Sequence, residues 1–531
     1  MNSITKVISV SRLLNHWVPL TAVCILLSAC ATSIPTHKPP AFTFTETTIN
    51  DIHTAIKNQT IDCETIVTGF LSRINKYDEI SNLNSIIYIN PNAIEKAKAL
   101  DRKYQETKAM QSLHCIPIIL KDNFDTADMP TEAGSIALFG SIPPDDAYMV
   151  KKLRQADAII IAKSNMGEWA FSPYNTISST HGETRNAYDL SRVPAGSSGG
   201  TASAIAANFG VIGMGSDTGN SIRGPASHLA LVGIRSTIGV TSRDGIVPLL
   251  LNRDIAGPLM RTVTDTAKVF NVIAGYDPAD PTTKSYENHQ VDDYAAHLTR
   301  DGLSGIRLGV LRQVYDANTA DKQVLVVFAQ ALKDLESSGA VIIDPVTIPD
   351  FDARIKATGF CPRFRYDINN YLKTLGNNIK TKTLKDIVEQ EKFRPENSGA
   401  MKWAMSIGAD VTPAEQIPPC VDVEDDPRRK ALLTAVVTTM DSLKIDALIY
   451  PTWSNLPRKS GDLKSPDGNN SPVIAPHSGQ PAITVPMGYA ANNLPLGLQI
   501  LGRPFSEEKL FQYAYAYEQA TRHRKPPILF P

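Results

Sequence analysis

The sequence predicts an α/β fold with one large sheet, and three observations carry that prediction. Ile116-Pro117-Ile118-Ile119-Leu120 and Ala158-Ile159-Ile160-Ile161-Ala162 are short, continuous, largely β-branched runs of the kind that fill strands covered on both faces. Segments with helical apolar spacing alternate with them. No repeat or linker-like stretch divides Thr45 from Thr521, so one oversized domain is expected, although 531 residues would suggest three on length alone.

Taken in order, Ile49, Ile52 and Ile56 mark a first helix, and Ile66, Val67, Phe70, Leu71 and Ile74 mark a second behind Asp62 as N-cap. Asn92 to Tyr104, rich in Ala, Lys and Glu, predicts a surface helix, and Met149 to Gln155 one that leads into the second buried strand. Ala202 to Ala207 is a helix of small residues able to pack closely on its neighbours, with Gly210 expected as its C-cap. Ile348 to Val473 is the least regular part, interrupted by Ile417-Pro418-Pro419-Cys420 and by Lys464 to Ser471, and reads as a variable, substrate-side elaboration. Ser506 is placed to cap a terminal amphipathic helix carrying Leu510, Phe511 and Tyr513.

Composition narrows the function classes. The chain is 42% apolar with 32 Gly and 36 Pro, as globular proteins are, and 53 Lys+Arg balance 54 Asp+Glu. An even, near-zero charge offers no basic stripe to a polyphosphate, which disfavours nucleic acid as a partner. The first residues differ from the rest. Lys6 and Arg12 precede an apolar stretch, Trp17 to Ala29, of about 13 residues. That is shorter than the ~18 that span a bilayer, so residues 1–29 read as an export signal. Leu27-Ser28-Ala29-Cys30 resembles a bacterial lipobox. The resemblance implies cleavage before Cys30, lipid on that cysteine, residues 30–45 as a tether, and a folded domain over 46–531. Ala31 in place of Asp implies, on the same basis, the periplasmic face of the outer membrane. Export would leave Cys63, Cys115, Cys361 and Cys420 in an oxidising compartment. Of their three pairings, Cys361–Cys420 across the variable segment is preferred, with buried free thiols as the alternative, and none has metal-ligand spacing.

The chemistry concentrates between Pro194 and Gly239. Gly196-Ser197-Ser198-Gly199-Gly200 and Gly213-Met214-Gly215-Ser216-Asp217-Thr218-Gly219-Asn220-Ser221-Ile222-Arg223 flank the small-residue helix. Glycine lets backbone amides face a ligand without an intervening Cβ. With the hydroxyls of Ser197, Ser198, Ser216, Thr218 and Ser221 among those glycines, the pattern points to a serine nucleophile facing a backbone oxyanion hole. A phosphate-binding loop is disfavoured, because neither Gly-x-x-x-x-Gly-Lys-Ser/Thr nor a strand-to-helix Gly-x-Gly-x-x-Gly is present. Gly-x-Ser-x-Gly with Ser198 as an α/β-hydrolase elbow needs a strand before it, whereas Asp189 to Pro194 is polar and ends in proline. Ser506-Glu507-Glu508-Lys509 fits the Ser-x-x-Lys of penicillin-binding proteins, yet Lys459-Ser460-Gly461 precedes it instead of following. His114, His181, His228 and His477 form no His-x-x-x-His pair and are expected as ordinary hydrogen-bonding residues.

These residues match a family. The chain resembles the amidase signature enzymes, whose Gly-Ser-Ser-Gly-Gly loop is followed by a nucleophile in Asp-Thr-Gly-Gly-Ser-Ile-Arg; here Ser197 and Ser221 stand 24 residues apart, as in that pattern. Ile116 to Asp122, Thr131, Gly134-Ser135, Lys163 to Met166 with Glu168, Pro225-Ala226, Gly233, Gly479 to Pro486 and Leu494 to Gly502 continue the match in family order, from about Ile49 to Thr521. The resemblance implies a central mixed β-sheet flanked by helices on both faces.

It also implies a mechanism. Ser221 attacks a carboxamide carbonyl, and its proton passes through Ser197 to Lys121, giving an acyl-enzyme that water hydrolyses. Lys121 must then be neutral, which burial beside the apolar strand would favour over a salt bridge to Asp122 or Asp125. The peptide Gly196–Ser197 is expected to be cis. Amides of Thr218, Gly219, Asn220 and Ser221 form the oxyanion hole, with Ser198, Asp217 and Arg223 in support. Asn220 departs from the family's usual Gly, and asparagine's tolerance of left-handed angles would let the hole form. The substrate implied is a small-molecule amide, with no cofactor, metal, nucleic acid or protein partner. The tRNA-amidating relatives fit poorly with export. Two alternatives stay open: a non-catalytic envelope binding protein on the same scaffold, and an esterase.

Overall fold

The computed structural model describes residues 42–315, 318–376 and 379–531, so the expected signal at 1–29, Cys30 and most of the tether lie outside the described residues. Phe42 and Phe44, within the segment expected as tether, pack on the fold: Phe44 stacks edge-on against Phe70, with ring centroids 5.4 Å apart.

Helices α1 (Ile49–Lys57) and α2 (Cys63–Tyr77) open the domain, with Thr48 and Asp62 as N-caps accepting from Asp51 N and Thr65 N. The others are α3 (Ala93–Thr107), α4 (Tyr148–Gln155), α5 (Gly199–Ala206), α6 (Arg223–His228), α7 (Val263–Ile273), α8 (Lys322–Ser337), α9 (Phe351–Ala357), α10 (Phe364–Thr374), α11 (Leu384–Glu389), α12 (Ser398–Met405), α13 (Pro427–Ser442), α14 (Ala475–Ser478) and α15 (Glu507–Thr521). The strands are β1 (Ile86–Ile89), β2 (Pro117–Lys121), β3 (Ile159–Ser164), β4 (Ile177–Ser178), β5 (Gly182–Glu183), β6 (Ile212–Asp217), β7 (Val232–Arg235), β8 (Ile255–Met260), β9 (Arg307–Val310), β10 (Val341–Ile343), β11 (Ala447–Pro451), β12 (Ala482–Ala490) and β13 (Leu494–Leu501).

Among the described residues, eleven strands form one mixed sheet in the order β1-β3-β2-β6-β8-β7-β12-β13-β11-β9-β10, and β4 pairs with β5 in a separate hairpin. The two β-branched runs are β2 and β3, parallel neighbours, and β6 runs parallel on the other side of β2. Every residue of β2, β3, β6, β7, β8, β11 and β13 is buried, so helices and loops cover both faces. Helix α5 presses on β6 so closely that a Cβ at Gly215 would lie 2.9 Å from Ser198 Oγ, and one at Gly200 would collide with the Asn165 carbonyl. The glycines there are required by approach, not by turning.

Three expectations are corrected. The C-cap of α5 is Ala207, and the left-handed residue that turns the chain is Asn208, at φ 62°, not Gly210. The segment 348–473 is not merely irregular, for it supplies α9 to α13 and also β11, in the middle of one half of the sheet. Ser506 does sit at the start of α15, but its hydroxyl donates to Arg503 O at 2.7 Å instead of capping the helix. The preferred Cys361–Cys420 bridge is present, and a second, Cys63–Cys115, ties α2 to the loop entering β2. The buried His114 lies beside it, Nδ1 3.2 Å from Asp157 Oδ2 and Nε2 3.8 Å from Cys63 Sγ.

Candidate active site

The order of the sheet brings the chemistry together. Lys121 ends β2, Ser216 stands near the end of the adjacent β6, and Ser197 lies in the loop before α5. Lys121 Nζ is 2.7 Å from Ser197 Oγ and 2.8 Å from Ser216 Oγ, and Asn123 Nδ2 donates to Ser216 Oγ at 3.0 Å. All four side chains are buried. Burial drives the Lys121 amine down to about 7, against the pull of Asp217 and Asp254. Among the described residues no carboxylate pairs with it directly; Asp122 instead accepts from the amides of Glu132 and Gly134, so the salt-bridge alternative for Lys121 does not form.

Asp217 closes β6 and anchors the loop that follows. Arg223 Nε is 3.1 Å from one carboxylate oxygen and Arg235 Nη1 3.1 Å from the other, and all three side chains are sealed from solvent. Burial alone would raise the Asp217 carboxyl, but the two guanidinium groups hold it below its ordinary value. Arg223 Nη2 also donates to Gly219 O at 2.6 Å. Because a trans peptide points its C=O and N–H in opposite directions, drawing the Gly219 carbonyl inward turns the Asn220 N–H outward. Among the described residues, none accepts from the amides of Gly219, Asn220 or Ser221. Free amides turned outward in this way suit a developing oxyanion.

Thr218, Gly219, Asn220 and Ser221 together floor a cavity of about 490 Å³. Asn220 does not adopt the left-handed angles that its tolerance would have permitted. Its side chain has a different use: Nδ2 donates to Pro173 O and to Gly196 O, each at 3.2 Å, which fastens the Ser221 loop to the Ser197 loop. The Gly196–Ser197 peptide is cis. The hydrogen bonds among the described residues join Lys121 to Ser197 and Ser216 and stop short of Ser221, which lines the cavity. Ser198 is buried and donates to Ser216 O at 3.2 Å, and a loop, not a strand, leads into it, so it is not an elbow nucleophile.

Sequence reasoning missed the frame around these groups. Asn123 and Arg235 carried no local motif, and Ser216 was only one hydroxyl among five. Asp254 accepts from Thr218 Oγ1 and from the amides of Leu249 and Leu250 at 2.8 and 2.9 Å, joining the 218–221 loop to the cavity wall. His181 and His477 make the expected hydrogen bonds, to Glu132 and to Thr358 O, whereas His228 packs its ring on Trp453, 4.7 Å between centroids, and is held neutral by burial.

Residues 65–511 match the family model described as Amidase. The chain belongs to the amidase family. A probable amidase of Arabidopsis thaliana is 32% identical over 500 residues, covering 92% of each chain. A glutamyl-tRNA(Gln) amidotransferase subunit of Microcystis aeruginosa is 32% identical over 512 residues, 91% of this chain and 99% of that one. Among solved structures, the native peptide amidase of Stenotrophomonas maltophilia superposes with a TM-score of 0.81 at 33% identity, over 92% of this chain and 99% of the other. This amidase is therefore a hydrolase acting on amides, built as a single α/β domain on a large mixed sheet.

Proposed function

We propose that the protein hydrolyses the C–N bond of a small-molecule carboxamide through a Ser221 acyl-enzyme. The observation that carries this reading is a buried lysine, brought down to about 7, whose amine lies 2.7 Å from Ser197 behind the cavity floored by Ser221. Ser221 Oγ forms a bond to the carbonyl carbon while its proton moves to Ser197 and the Ser197 proton to Lys121. The carbonyl oxygen becomes an oxyanion facing the amides of Gly219, Asn220 and Ser221. As the tetrahedral species collapses, the C–N bond breaks and the proton returns by the same route to the leaving amine. Water then attacks the ester, releasing the carboxylate. A fluorophosphonate probe tests the nucleophile: wild type is expected to label at Ser221 and Ser221→Ala not to label, whereas no labelling, or equal labelling of both, favours a binding protein on the same scaffold.

The same proposal places the enzyme outside the cytoplasm, held by lipid on Cys30. Two disulfide bonds in one chain favour an oxidising compartment. That setting separates the chain from the charged tRNA named in its amidotransferase relatives and fits a scavenged or envelope-derived amide.

A further inference from the structure

We propose that Phe360 sets the acyl selectivity of this site, as a wall for bulky apolar or aryl acyl groups, and that the Cys361–Cys420 bridge holds it in place; the inference rests on the serine amidase reading. Phe360 is 44% exposed, yet it stands over the oxyanion loop: a Cβ built on Gly219 would meet Phe360 Cζ at 3.6 Å and Pro472 Cβ at 3.5 Å. The ring therefore borders the cavity that Ser221 also lines, and the proposal assigns that side of it to the acyl group. Phe171, Leu249, Leu250 and Trp403 continue the same apolar lining.

An exposed phenyl ring in a loop beyond α9 would not keep one position unaided. This one is gripped on both sides by a single short segment, Asn252-Arg253-Asp254. The buried Arg253 guanidinium lies 4.6 Å from the ring centroid and donates to Thr358 O at 2.7 Å and Gly359 O at 3.0 Å, fixing the backbone just before Phe360. His477 closes the inner side, 5.2 Å between centroids. Just after Phe360, Cys361 is bonded to Cys420, and Asn252 Nδ2 reaches both sulfurs at 3.7 Å while donating to Val421 O at 3.1 Å. Asp254, next in the chain, holds Thr218, Leu249 and Leu250. One tripeptide thus sets the phenyl ring, two leucines and the oxyanion loop in a common frame. A fixed wall discriminates by shape, and apolar acyl surface buried against it is favourably removed from water.

Primary amides test this, because their leaving group is ammonia and all remaining bulk is acyl. The ratio of kcat/KM for 3-phenylpropanamide to that for propionamide is measured together with the rate of fluorophosphonate labelling at Ser221. Wild type is expected to favour the aryl substrate, Phe360→Ala to lose about tenfold of that ratio, chiefly through KM, and Phe360→Leu to fall between. Cys361→Ser/Cys420→Ser is expected to move the ratio the same way, and Cys63→Ser/Cys115→Ser to leave it unchanged. An unchanged ratio in labelled Phe360→Ala overturns the wall. A ratio lowered in Phe360→Ala but not in the 361/420 variant, or lowered equally in the 63/115 variant, overturns the clamp. Wild type that neither labels at Ser221 nor turns over either amide overturns the amidase reading and this inference with it.

Discussion

At the scale of single residues, the proposed reaction hangs on the charge of Lys121. Its amine is held at about 7 by burial, well below its ordinary value. A base works only when neutral, so kcat/KM for an amide is expected to rise about tenfold per pH unit below 7 and to flatten above it. Lys121→Ala removes that limb and depresses amide hydrolysis more than hydrolysis of the matched ester, because an amine leaving group needs the proton returned. Equal losses on the two substrates, or an unaltered limb, would count against the relay. Asn220 offers a second test. Its two hydrogen bonds join the serine loops, and each is worth about 1 kcal/mol, so Asn220→Gly is expected to lower kcat up to about thirtyfold while Ser221 still labels. Ser197 and Ser221 were legible as hydroxyls within glycine-rich loops, whereas their separate roles, and any role for Lys121 at the end of its apolar strand, came only from the resemblance to a family. Asn252, Arg253 and Asp254 were not legible: a buried frame made of polar side chains leaves no periodic or compositional trace.

At the scale of elements, what could be read depended on burial. Strands β2 and β3 showed as apolar runs because both of their faces are covered by side chains. Strand β6, equally buried, was hidden, because the face beneath α5 has room only for Gly213 and Gly215. Strand β11 was masked by the charged and proline-rich stretches around it, and the order of the sheet could not be read because nothing in the composition of a buried strand specifies its neighbour. The disulfides act at this scale too. Cys63–Cys115 closes a loop of 52 residues and fixes the start of α2 to the chain entering the strand that carries Lys121. Its loss is expected to destabilise the fold by roughly 2–4 kcal/mol, read as a lower urea midpoint for Cys63→Ser/Cys115→Ser. Alkylation of the denatured, unreduced protein is expected to modify none of Cys63, Cys115, Cys361 and Cys420. A midpoint equal to wild type would show that the packing of α2 alone sets this junction.

At the scale of the whole molecule, the even charge and the single sheet fit a catalyst for small neutral amides, and the proposed export raises the question of how such a body would be held at a surface. Among the described residues no helix is long and apolar enough to cross a membrane, and a formal net charge of -1 gives no overall attraction to an anionic bilayer. If this domain is attached, a covalent lipid is the means with physical support, each buried CH₂ contributing ~0.8 kcal/mol and two or more chains being needed for stable anchoring. On the proposed reading, the lipobox-like Leu27-Ser28-Ala29-Cys30 would place that lipid on the first residue of the mature chain. Mass spectrometry of protein produced with its own leader in a Gram-negative host is expected to find an N-terminal peptide beginning at Cys30 and carrying a diacylglyceryl thioether, with the protein in the detergent-soluble membrane fraction. A mature terminus at any other residue, or an unmodified Cys30 in a freely soluble periplasmic protein, would remove the anchor. Both outcomes leave the geometry of Lys121, Ser197 and Ser221 as it stands, because all three lie within the compact unit Phe42–Pro531.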